Sequence, residues 1–195
     1  MVDKKQVCEH EIGHGIVALC LGFDNFTRIF VDFATPGINR RGGIDIQIEG
    51  LREKFDSAIP QLERRSLAVR VIAVFAAGKE TENLLGKTPD ENWSEWDEDQ
   101  IQWFGLAAVW ADEDMELLEK SVSRNNGWGK WADVDAVIAE GRALALEHLK
   151  KNAQAIGNAS TLLHVSVQSM RGKGYITRGQ LSQIMQRQRS SNTID

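Results

Sequence analysis

Apolar residues recur at helical spacing along most of the chain. Between Lys4 and Leu21, Val7, Val17, Ala18 and Leu21 share a stripe with His10, Glu11 and His14. Cys8, Ile12, Ile16 and Leu19 form a second apolar stripe roughly opposite. A helix apolar on both sides is an interior helix. Gly22 closes it, as a glycine just past a helix end does. Period-two patterning then takes over. Thr27 to Phe33 is β-branched and aromatic, and Ile44 to Ile48 alternates strictly. Turn residues at Pro36-Gly37 and Arg40 to Gly43 separate these strands, so the two are expected to pair antiparallel.

From Pro60 onward the pattern is helical. A buried stripe of Leu62, Leu67, Val71, Val74 and Phe75 runs to about Ala77. Gly78 is expected to interrupt it, with a short helix from Lys79 to Leu85 and a loop from Lys87 to Ser94. Asp97 and Gln100 read as a capping pair for a helix ending near Ala111. Asp112 to Arg124 reads as another helix, and Asp133 to Lys151 and Asn152 to Arg171 as two more with a break near Asn152. Gly172 to Gly174 turns the chain. Thr177 with Gln180 caps a last short helix, and 186–195 is polar enough to predict a frayed tail. The expected fold is mainly α with a small antiparallel β-sheet, one domain over 1–195.

Composition narrows the function. A chain of 195 residues with net charge −5 and an ordinary apolar fraction encodes a soluble core and no nucleic-acid surface. The longest apolar run, Val71 to Ala77, is too short to span a bilayer. Met1 is followed closely by charged residues, so no secretory leader is expected. Cys8 and Cys20 lie twelve positions apart on one helix and cannot bridge. Reduced thiols and a cytoplasmic location follow as expectations. No glycine-rich phosphate loop is present.

His10-Glu11-Ile12-Gly13-His14 is the HExxH pattern. Residues four apart share a helix face, so both imidazoles can reach one zinc ion. Glu11 stands about 100° round the helix, placed to act as general base without binding the ion. Catalytic zinc takes a third protein ligand. Val17 and Cys20 occupy the places of a longer histidine motif, and His148 and His164 are isolated on helical segments. Glu80, Glu82, Asp97 and Asp99 remain as carboxylate candidates, and spacing does not choose among them.

Several stretches together carry a resemblance: Cys8 to Gly15, Arg41-Gly42-Gly43, Gly78 to Asn83, Asp99 before Leu106-Ala107, and Tyr175 to Leu181. From residue 5 to about 186 the chain resembles the peptidase domain of the FtsH family, the membrane-anchored AAA zinc proteases. Ile12 stands where the family has alanine, Trp96 to Asp99 departs from its aspartate context, and the AAA module and anchor have no counterpart. The resemblance implies an FtsH-like zincin with one zinc held by His10, His14 and Asp99 and with Glu11 as base. It implies an ATP-independent endopeptidase for unfolded or flexible polypeptide. Ile44 to Ile48 is the strand expected to receive the substrate by strand addition. A homo-oligomer or a separate unfoldase partner is left open. The competing expectation is a zinc-stabilised, catalytically idle interaction domain.

Overall fold

A computed structural model describes residues 3–23, 25–35, 42–46, 52, 55, 60–88, 91–109 and 128–191. Among these are six helices and a three-stranded antiparallel sheet. In chain order they are α1 (Lys4–Cys20), β1 (Arg28–Asp32), β2 (Gly42–Ile44), α2 (Gln61–Leu84), α3 (Glu91–Val109), α4 (Trp128–Lys151), α5 (Ala153–Ser169), β3 (Lys173–Thr177) and α6 (Arg178–Ser191). The Asp112 to Arg124 segment lies outside the described residues.

Helix α1 starts because the Asp3 carboxylate accepts from the Lys5 and Gln6 amides. It ends at Leu21 and Gly22, the latter at φ 74°, where the Phe23 amide returns to the Ala18 carbonyl. Helices α2, α4, α5 and α6 and strands β1 and β2 all pack on it. Every residue from Val7 to Ala18 is therefore buried, as two apolar stripes require. Ile12 and Ile16 are wholly buried, each contributing on the order of 1.5–3 kcal/mol.

Helix α2 runs unbroken through Gly78, where an interruption was expected. Its residues from Ala68 to Ala77 are nearly all buried, because α1, α3 and α4 pack round it. Burial there outweighs the single glycine. Helix α3 begins at Glu91, six residues before the expected cap, so Asp97 is an interior helical residue.

Strands β1 and β2 pair antiparallel, with Ile29 opposite Ile44. β2 stops at Ile44 because the Asp45 carboxylate turns back to accept from the Thr27 and Arg28 amides. Residues 47 and 48 of the expected strand lie outside the described residues. β3, read from sequence as turn and cap, completes the order β2-β1-β3. The Tyr175 amide on its outer side donates to Ser166 Oγ of α5, which covers that edge. Thr177 and Gln180 form the expected capping box. Asn152 breaks α4 from α5 while its amide group donates to the His148 carbonyl. The expected frayed tail is helical as far as Ser191: Leu181 and Met185 anchor α6 in the core, and its polar residues occupy the outer face.

Candidate metal centre

Helix α1 delivers His10 and His14 one turn apart to the surface of α2 that carries Val74, Ala77, Gly78 and Glu82. Their rings meet edge to face, with centroids 4.9 Å apart. The approach is close because two glycines permit it. A Cβ on Gly78 would lie 2.3 Å from His10 Nε2, and one on Gly13 would lie 2.1 Å from Thr81 Oγ1. Gly78 thus makes room for the ring.

Each imidazole turns its outward nitrogen towards an acceptor oxygen. His14 Nδ1 lies 2.7 Å from the Val74 carbonyl, which can only accept, so this nitrogen carries the proton. His10 Nδ1 faces Glu82 Oε2 at 3.6 Å. Both Nε2 atoms then point to the same place. There Asp97 Oδ2 lies 3.3 Å from His10 Nε2 and 3.3 Å from His14 Nε2. All three side chains are buried.

The carboxylate that the structure brings to the two histidines is Asp97, where Asp99 was expected. Successive helical residues turn by about 100°, so Asp99 points some 200° away from Asp97. It is exposed, with no part in the cluster. The side of α3 that turns inward is set on three flanks. Trp96 packs edge-on against Phe75 at 5.5 Å. Glu98 receives Arg142 of α4 through two bonds of 2.8 and 2.6 Å and Lys79 of α2 at 3.2 Å. Ile101 and Phe104 enter the core. Asp97, Gln100, Ile101, Phe104 and Ala108 make one buried stripe at helical spacing, a pattern already present in the sequence once the helix is begun at Glu91.

The electrostatics match three converging ligands. Burial alone would lower the His10 pKa, but the hydrogen bond to Asp97 and the carboxylate of Glu82 beside the ring push it up to about 10. Burial would raise Asp97, yet the charge of His14 and the hydrogen bond from His10 hold it well below the usual carboxylate range. A buried anion between two imidazoles therefore demands positive charge at the point of convergence, from protons or from a metal ion. Zinc fits this donor set. Donors about 2.0–2.1 Å from a tetrahedral ion stand about 3.3–3.4 Å apart, the separation Asp97 keeps from both histidines.

The other candidates are placed elsewhere. Glu82 is fully buried behind His10. Glu80 pairs with Arg142. Cys8 is wholly buried, and burial, with Glu11 and Glu9, pushes its thiol up to about 12, so it packs as a neutral side chain. His148 and His164 lie outside the cluster. Glu11 lies next to the histidines on α1, with its carboxylate against Gly42 of β2; a Cβ there would lie 2.6 Å from Glu11 Oε1. No family model matches the chain, and no curated protein matches it. Among the described residues no helix is long and apolar enough to cross a membrane.

Proposed function

We propose that this protein is a zinc-dependent metalloendopeptidase of FtsH-like type that cleaves unfolded or flexible polypeptide without ATP. The observation that carries the reading is the convergence of His10 Nε2, His14 Nε2 and Asp97 Oδ2, with Glu11 on the same helical turn as the histidines. A zinc ion held there would supply Lewis acidity toward the scissile carbonyl and lower the pKa of a water molecule. Glu11 accepts the proton of the attacking water and returns it to the departing amine. The Val74 carbonyl and Glu82 keep the imidazole protons on Nδ1, leaving each Nε2 lone pair for the ion. β2 is a terminal strand of the sheet and lies against Glu11, so an extended substrate adding to it runs past the base. A folded domain resists such extension by about 5–15 kcal/mol, which restricts the substrate to loose chain.

A second reading, a zinc-stabilised and catalytically idle interaction domain, is favoured by one observation: Glu11 is only 7% exposed. The two separate in a digest of unfolded casein by zinc-loaded protein. Wild type is expected to cleave, and Glu11→Gln to keep its zinc and fold while losing about 10²–10⁴-fold in rate. Equal rates in the two proteins refute the role of Glu11. No cleavage by zinc-loaded wild type across a broad peptide library supports the idle domain.

A further inference from the structure

Behind His10 the buried contacts continue outward to the surface. Glu82 is a fully buried carboxylate on α2. Its Oε2 and His10 Nδ1 face each other at 3.6 Å, an ion-pair distance, and among the described residues neither atom has a hydrogen-bond partner. Its Oε1 accepts from Gln6 Nε2 at 2.9 Å. The same Gln6 nitrogen donates to the Thr88 carbonyl at 2.9 Å, in the stretch that leaves α2. Lys87 beside it is ion-paired to Glu9 of α1, so this stretch is tied down next to Gln6. The two hydrogens of one amide nitrogen thus serve two acceptors fixed by different parts of the fold.

We propose that Gln6 is a positioning residue for the metal centre: by holding Glu82 Oε1 it turns Oε2 onto His10 Nδ1, which fixes the His10 tautomer whose Nε2 can bind zinc. This rests on the metal site of the proposed function, though not on catalysis. A carboxylate accepts and never donates, so a buried Glu82 Oε2 facing Nδ1 at 3.6 Å favours the tautomer with its N–H on Nδ1 over one that sets a lone pair against it. That leaves the Nε2 lone pair free for an ion. Without Gln6 the buried carboxylate has one partner fewer and can rotate about its χ angles, and the ring loses the group that selects its tautomer. Gln6 lies a full turn from His10 on the same helix, so α1 carries both a ligand and the residue that sets its outer partner.

The test measures metal affinity by competition with a chromophoric chelator, with apo-protein circular dichroism as the control for folding. Gln6→Met keeps the volume and helix preference and removes the donor. It is expected to weaken zinc about tenfold or more, the range for outer-shell partners. Ring ¹⁵N shifts should report His10 losing its pure Nδ1–H form in the metal-free variant at a pH where the ring is neutral. In a Glu82→Gln background the loss from Gln6→Met should vanish, because an amide there can present its NH₂ to Nδ1 and favour the wrong tautomer. Gln6→Asn, one methylene shorter and unable to span both acceptors, gives the same reading if Gln6→Met fails to accumulate. Unchanged zinc affinity in Gln6→Met, or the same loss in both backgrounds, overturns the positioning role and leaves the metal site standing. A wild-type chain that binds no zinc overturns both.

Discussion

Replacing Gly78 with alanine tests the packing that brings α1 against α2. In the interior of an ordinary helix, glycine to alanine stabilises by about 0.5–1 kcal/mol, because alanine loses less backbone entropy on folding. Gly157, in the second turn of α5, is such a position: a Cβ there meets nothing within 4 Å. At Gly78 the new Cβ would lie 2.3, 2.5 and 2.6 Å from His10 Nε2, Cε1 and Cδ2. Ordinary contact is about 3.5–4.0 Å, so the ring must retreat by about 1 Å or more. It is 2% exposed and stands between Gly78, His14 and Glu82, so it cannot retreat without moving a neighbour. Overpacking of this kind costs about 1–3 kcal/mol. After subtracting the propensity gain, Gly78→Ala is expected to lose about 0–2.5 kcal/mol while Gly157→Ala gains about 0.5–1. The atom most displaced is Nε2, which the proposed site gives to zinc, so zinc affinity should fall as well. Urea unfolding of both variants without metal, followed by zinc competition, reads both effects. A Gly78→Ala protein as stable as Gly157→Ala with wild-type zinc affinity would refute the close approach described here.

Asp97→Ala should abolish most zinc binding, and Asp99→Ala should leave it within about twofold of wild type, since a surface substitution is usually near neutral; equal losses measured by chelator competition would contradict the assignment of Asp97. The metal-free protein should also show a defined pH response. The His10 pKa is raised from 6.5 to about 10, so its contribution is complete below pH 6.5 and lost as pH rises toward 10. The lowered pKa of Asp97 adds stability above pH 3.8 that is lost as pH falls further. Scanning calorimetry with a chelator present should therefore show Tm falling between pH 6.5 and 10, and the zinc-loaded protein, whose ion replaces the protons, should hold its Tm there. A flat metal-free profile would contradict the coupling of His10 to Asp97.

How far the chain could be read without its structure depended on the range of the interactions. Helix α1 was legible because its stripes, its Gly22 end and its HExxH pattern all lie within one stretch. The break at Asn152 and the Thr177–Gln180 box were equally local. Gly78 misled, because a glycine that admits a neighbouring ring looks in sequence like one that ends a helix. β3 was not legible: five residues containing Gly174 carry no clear alternation, and only pairing with β1, some 140 residues earlier, makes them a strand. Which carboxylate joins the histidines turned on a phase. Asp97 resembles a cap if the helix starts after it and a core residue if the helix starts at Glu91. The Gly15, Ile29 and Leu181 contacts, and the Glu98–Arg142 bridge that holds that phase, join positions too distant for periodicity to register.

The most direct measurement is metal content combined with X-ray absorption at the zinc edge, on the wild type and on His14→Ala and Asp97→Ala. The account predicts about one zinc per wild-type chain, with two imidazole nitrogens and one carboxylate oxygen among its neighbours at about 2.0–2.2 Å. It predicts that either substitution removes most of the metal. A wild-type chain without zinc, or full zinc retention by His14→Ala, would contradict it.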